Sequence, residues 1–222
     1  MRTLYHLWLD PGSRTIRLLL GEKKLAFGMQ IEKTWERRPE FLAINPSGSV
    51  PVLVDEDGTK LCGARAITEY IDEVYPDPPM IGVDARERAE IRRLCDWFDR
   101  KFQAEVTANL VDEKIMKRFL GLGEPSSHAI RAGSQNILTH LDYIGWLSER
   151  RSWLGGEALS LADLSAAAQL STVDYLGDVP WSKHQAAKDW YARMKSRPSF
   201  RPLLGDHIPG APPPRHYADL DF

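Results

Sequence analysis

The stretch PDPPMIGVD, residues 76–84, divides the chain into two parts that cannot share one architecture. Three prolines in four positions remove backbone donors and fix φ, so neither a helix nor a sheet ladder runs through them. Before this connector the apolar pattern switches between strand and helix periods. TLYHLWL alternates as a first strand, and Asp10-Pro11 supplies a helix cap followed by proline at the first helical position. The helix it opens carries Ile16, Leu19 and Leu20 on one face. A second strand follows around FGMQIEK, then a helical turn at PEFLAI. NPSGSVPVLVDEDGTKLC reads as strand, Asp-Gly turn and strand, a hairpin. Ile67, Tyr70, Ile71 and Val74 then recur at helical spacing. The order is β-α-β-α-β-β-α.

After the connector only helical periodicity remains. Ile91, Leu94, Phe98, Phe102 and Val106 form the apolar stripe of a long first helix. GLGEPSS interrupts it, and Ser126 or Ser127 restarts the pattern. LSLADLSAAAQL opens a further helix with Ser160 as cap and Asp163 three residues on, a variant of the capping box. Trp190, Tyr191 and Met194 mark a last helix, SRPSFRPLL closes the bundle, and the proline-rich tail GDHIPGAPPPRHYADLDF reads as extended. The expected division is residues 1–76, a linker at 77–86, an all-helical part at 87–205 and a tail at 206–222.

With 222 residues the chain has enough length for two small cores. Its 29 basic and 31 acidic residues leave a net charge of −2, so nothing draws it broadly to nucleic acid or anionic lipid. Cys62 and Cys95 sit in apolar runs without CxxC spacing, which predicts packed, reduced thiols in a cytoplasmic protein. No apolar run has spanning length, and the first residues pass directly into a strand pattern, so neither a membrane span nor a signal peptide is expected. The six histidines lack metal-ligand spacing, and GLGEP joins two helices instead of following a strand, so it is not a nucleotide loop. Neither metal nor cofactor is expected.

The element order and three motifs resemble the cytosolic glutathione-transferase superfamily. FLAINPSGSVPVL is similar to the family's segment before its third strand, with Val50-Pro51 at the cis-proline dipeptide. LSLADLSAAA resembles its helix-capping Ser-x-x-Asp. The resemblance implies an α/β plus all-α fold, a thioredoxin-like βαβαββα domain followed by an all-helical C-terminal domain. It also implies a glutathione site around the start of the third helix. There the family reads Leu-x-Glu-Ser-x-Ala-Ile, and this chain keeps Leu61, Ala66 and Ile67 but carries Gly63-Ala64 in place of Glu-Ser.

A helix start is a ready anion site when polar groups stand beside it, and here both are missing. Where serine-type members place a hydroxyl against the glutathione thiolate, spacing puts Asp10, whose carboxylate repels a thiolate and raises a thiol pKa. Ser13 lies one turn on; a polar first-turn residue is its simpler reading, as helix cap is for Asp10. The site residues Asp10, Ser13, Val50, Pro51, Gly63 and Ala64 thus read as a degenerate glutathione site, with no catalytic residue.

Three stretches are candidates for partner binding. EKTWERRPEF sets Trp35, Arg37 and Arg38 beside the old ligand cleft; they are either interface anchors or a core cap with solvated arginines. DEKIMKRFLGLG sets Lys114, Lys117 and Arg118 on one helix face near its C-terminus, where cations also suit the helix dipole. The tail offers His216, Tyr217, Asp219, Leu220, Asp221 and Phe222, either projecting on a polyproline stem or with Tyr217, Leu220 and Phe222 docked. The tail and DWFDRKFQAEV also resemble a non-enzymatic group of alphaproteobacterial division proteins within the superfamily. That likeness implies binding of the tubulin-like FtsZ, bundling or curving of its filaments, promotion of constriction, and a homodimer acting in the cytoplasm at the division site. The alternatives are a glutathione-dependent transferase or reductase with an atypical site, or a scaffold of other complexes.

Overall fold

The structure, a computed structural model, describes residues 1–220. Strands β1 (Arg2–His6), β2 (Phe27–Ile31), β3 (Val52–Val54) and β4 (Lys60–Cys62) form one sheet in the order β2-β1-β3-β4. β1 and β2 run parallel and the other pairs antiparallel, with Leu4 opposite both Met29 and Leu53. Helix α1 (Pro11–Glu22) makes the parallel crossover, the short α2 (Pro39–Leu42) leads to β3, and α3 (Ala64–Val74) follows β4. Asp55 and Thr59 close the β3–β4 hairpin, where Gly58 takes a φ of 87°.

Beyond the proline connector, α4 (Ala85–Asp96) runs on through wider i→i+5 turns over Trp97–Met116 into α5 (Lys117–Leu120). The stripe from Ile91 to Val106 is buried along this continuous rod. The rod stops at Gly121, whose left-handed φ of 65° ends it. α6 (Ser127–Ser148), capped by the Ser126 hydroxyl, packs beside the rod; α7 (Leu161–Asp174), α8 (Gln185–Lys195) and α9 (Arg201–Leu204) complete the bundle. α7 is buried along its whole length and begins at the Ser160–Asp163 box. The Asp163 carboxylate also accepts from Leu154 N–H at 2.8 Å and Trp190 Nε1–H at 3.0 Å, so one buried acid anchors three segments.

α1 buries Ile16, Leu19 and Leu20 as expected, and Arg14 and Arg17 as well, because α1 lies between the sheet domain and α7. Three expectations need correction. Val74 is 47% exposed, since it is the last residue of α3, where the chain already turns into the connector. Cys62 is exposed, because β4 is an edge strand whose outer positions lack cover. The tail is not simply extended: Ile208 and Tyr217 enter the core, and a helical turn forms over Arg215–Tyr217.

The tail is held by hydrogen bonds on both of its anchors. Tyr175 Oη accepts from Ile208 N–H at 2.8 Å and donates to the Ala211 carbonyl at 2.8 Å. Tyr217 Oη donates to the Leu203 carbonyl at 3.1 Å and accepts from Arg14 Nη1 at 3.0 Å. Arg14 also reaches Asp206, at 3.0 Å, and Arg17 pairs with both Asp206 oxygens at 2.8 and 2.9 Å. Tyr217→Ala removes a fully buried ring and unpairs one Arg14 donor. Thermal unfolding should show a loss of at least about 2 kcal/mol, whereas a Tyr217 that merely rests on the surface predicts almost none.

His6 lies close to this network, 4% exposed. Burial first, then the Arg17 guanidinium, pushes its imidazole down to about 4. In the unfolded chain it titrates near 6.5, so as pH falls from about 6.5 toward 4 the unfolded state takes up the proton first and stability drops. His6 contributes nothing to this slope above that window and at most about 3 kcal/mol across it. A His6→Asn variant should flatten the pH dependence of urea unfolding between pH 4 and 6.5, roughly the window set by the two pKa values.

Candidate functional site

A cleft of about 410 Å³ opens between the sheet domain and the α4 rod. Asp10, Pro11, Val50, Pro51 and Ala64 line one wall; Arg92, Cys95, Asp99 and Gln103 line the other. A bidentate pair joins the walls, Arg92 donating to Glu69 at 3.0 and 2.8 Å. The Val50–Pro51 peptide is cis, and the Pro51 carbonyl accepts from Gly63 N–H at 2.9 Å. α3 then starts at Ala64 with Gly63 as cap and no side-chain hydrogen bond at its first turn. Its φ of 88° is one that L side chains rarely adopt, so position 63 favours glycine on backbone grounds as well as lacking a polar group.

Asp10 sits at the cleft floor as cap of α1, accepting from Ser13 N–H at 2.6 Å. Burial raises its carboxyl pKa despite that hydrogen bond. A second cleft of about 270 Å³ shares Asp10 and contains Asp112, whose carboxyl is pushed up to about 6 by burial and then by Asp10. Asp10 lines both clefts and Asp112 lines the second, and an ionised carboxylate at either place disfavours a thiolate beside it. Ser13 is fully buried beneath Asp10 and lines neither of these two clefts. Cys95 faces the cleft, but burial first and then Asp99 raise its thiol pKa well above the ordinary value, which leaves it a poor nucleophile.

The rim candidates fall into different places. Trp35 is half-buried and stacks on Phe119, with ring centroids 5.6 Å apart and planes at 17°. Phe119 also meets Trp8 at 5.8 Å. Arg38 is paired with Glu32, while Arg37 is exposed in a left-handed turn. The three basic residues of the rod do not form a free patch: Lys114 pairs with Asp178 at 2.6 Å and Lys117 with Glu113 at 2.7 Å. Arg118 instead donates to the Gly210 carbonyl at 3.1 Å and lies over the Phe119 ring.

In the tail, Tyr217 is interior, which removes it from any partner surface; His216 and Leu220 are half-buried and Asp219 is exposed. Lys195 holds this part by donating to the Asp219 carbonyl at 2.6 Å. Asp221 and Phe222 lie outside the described residues. Sequence reasoning missed Phe119, Asp112 and the Arg14–Asp206 pair. Only Arg14 had a usable signal, arginines at i and i+3 inside an apolar helix; its partner Asp206, Phe119 and Asp112 had none. No cluster of metal-ligating side chains occurs among the described residues, and none of their helices is long and apolar enough to cross a membrane.

If glutathione enters the first cleft, its γ-glutamyl end finds no side chain at positions 63 and 64 to bind it. Each missing charge-assisted hydrogen bond is worth roughly 1.5–3 kcal/mol. Ala64→Ser should tighten glutathione binding in calorimetry without raising conjugation rate. Gly63→Glu should add less than its hydrogen bonds suggest, because the left-handed backbone opposes a side chain there by about 1 kcal/mol. Micromolar binding by the unaltered protein contradicts this account.

Comparisons with known proteins agree with the fold. The model of the glutathione S-transferase N-terminal domain matches residues 11–74, and that of the C-terminal domain matches residues 139–198. The chain is 52% identical to FtsZ-localized protein A of Caulobacter vibrioides, with 100% of this chain and 98% of that protein covered. The solved structure of FzlA from C. crescentus superposes with a TM-score of 0.96 at 52% identity, covering 100% of this chain and 99% of the other. A glutathione S-transferase from Rhodospirillum rubrum superposes with a TM-score of 0.97 at 55% identity, both chains covered completely.

Proposed function

Because this chain belongs to the glutathione S-transferase superfamily, and shares full-length similarity within it with FtsZ-localized protein A, we propose that it is a non-enzymatic division protein. On this reading it binds FtsZ filaments in the cytoplasm at the division site, bundles or curves them, and promotes constriction. The observation that carries the reading is the full-length 52% identity to a protein named for its localisation with FtsZ. The cleft supports it from the chemical side, since the transferase scaffold is present while the groups at positions 10, 63 and 64 oppose or omit the recognition of glutathione. A homodimer fits the same role, because two copies of one binding surface crosslink filaments and gain avidity.

Two observations favour a second reading. The cleft is open at about 410 Å³, and the Rhodospirillum rubrum relative carries the name of a glutathione S-transferase. A glutathione-dependent transferase or reductase with an atypical site is therefore the alternative. It needs a thiol activator, and Ser13, the side chain proposed from sequence, is buried away from the cleft.

Cosedimentation with polymerised FtsZ, run beside a glutathione-conjugation assay, separates the two. The protein is expected to pellet with FtsZ polymers and to thicken them in electron micrographs, with conjugation no faster than the uncatalysed reaction. Conjugation well above background with no FtsZ binding decides for the enzyme.

A further inference from the structure

Trp35 and Arg118 are 83 residues apart in the chain, yet Phe119 brings their surroundings into one surface. Trp35 stacks on Phe119 at 5.6 Å, and the Arg118 guanidinium lies over the same ring at 5.9 Å. The chain entering the Trp35 turn exposes Met29 and Ile31, and the chain leaving Phe119 exposes Leu120 and Leu122. These are four of the eight large apolar side chains exposed among the described residues, so exposed apolar surface is concentrated on the two segments that the stack joins.

The charges along these two segments sort into two kinds. Lys33, Arg38, Lys114 and Lys117 each have a carboxylate within the molecule, respectively Glu36, Glu32, Asp178 and Glu113. Arg37 and Arg118 have none among the described residues. Arg118 meets a carbonyl and an aromatic ring, and Arg37, two residues after Trp35, lies near Gly48. An aromatic platform edged by leucines, with two guanidiniums lacking carboxylates, has the composition of an interface centre rather than of a solvated surface.

We propose that this joined surface, Trp35–Phe119 with Arg37, Arg118, Leu120 and Leu122, docks a partner segment that carries an apolar anchor flanked by carboxylates. The proposal rests on the binding of FtsZ put forward above and names the chemistry that such a site selects. The anchor lies against the ring stack and the exposed leucines. The flanking carboxylates supply the guanidiniums with the partners that the fold withholds, a bidentate geometry that arginine favours. Lys114, Lys117 and Arg38 are already neutralised and add little.

The test uses the full chain and two readouts. Arg37→Ala/Arg118→Ala and Leu120→Ser/Leu122→Ser are compared with wild type in cosedimentation with FtsZ polymers at low and high salt. They are also compared by anisotropy with a labelled peptide of Leu-Phe between paired aspartates, and with its asparagine counterpart. Both double variants alter exposed positions and should melt as wild type does. Each should lose roughly tenfold or more in affinity, and the arginine variant should also lose most of the salt dependence. The asparagine peptide should bind as weakly as the arginine variant binds the acidic one.

Trp146→Ala, an exposed aromatic on α6, should bind unchanged. Variants that bind both probes as wild type does overturn the proposal, as does conversion of a dimer to a monomer by the leucine variant, which assigns the face to a second copy. Wild type that binds the acidic peptide through these residues but ignores FtsZ keeps this site and removes the FtsZ reading. Wild type that binds FtsZ with the arginines and leucines silent does the reverse.

Discussion

Two buried guanidiniums on α1 set the terms for the rest of the molecule. Arg14 is completely enclosed and Arg17 nearly so, and an unpaired buried charge costs several kcal/mol. Their carboxylate, Asp206, comes from the segment after the last bundle helix, and the remaining Arg14 donors go to Ser171 on α7, Tyr217 in the tail and the Trp8 carbonyl. The sheet domain, the helical bundle and the tail therefore meet at one helix. Breaking such a network is expensive, although replacing all of it with apolar side chains need not be. What the charges specify is which segment closes over α1.

The same helix connects this core to the cleft. Its N-cap is Asp10, and a capping carboxylate suits a helix N-terminus as well as a serine does. Folding is thus indifferent to a choice that chemistry is not. A hydroxyl at that position donates to a thiolate, whereas an ionised carboxylate repels it. At the start of α3 the loss is of another kind: Gly63 and Ala64 provide no acceptor or donor, and the φ of Gly63 makes a side chain there unfavourable. The cis Val50–Pro51 peptide and the open cleft thus stand beside a helix start that carries no polar side chain.

The outer surface shows how tertiary placement changes the meaning of a charged run. Lys114, Lys117 and Arg118 look alike along the helix, but Asp178 and Glu113 take the first two. Surface pairs of this sort contribute little stability, yet they decide which cations remain open to a partner. Arg118 stays without a carboxylate among the described residues because it turns toward the Gly210 carbonyl and the ring of Phe119.

Local signals were sufficient for the element order. Proline spacing marked the connector, the Asp10-Pro11 and Ser160–Asp163 caps marked helix starts, and the 3.6-residue stripe from Ile91 to Val106 marked the long rod. The absence of polar side chains at Gly63-Ala64 was legible for the same reason: capping depends on neighbours in the chain. Three things depended on residues far apart in sequence and so belonged to the tertiary structure alone. The pairing of Arg14 with Asp206 joins positions 192 residues apart, the docking of Tyr217 fills a space shaped by α1, α7 and the α9 region, and the stacking of Trp35 on Phe119 unites two segments with no shared local pattern. A sequence displays periodicity and caps because these act over a few residues. Which charge finds which, and which apolar side chains remain exposed, is settled only when the chain closes on itself.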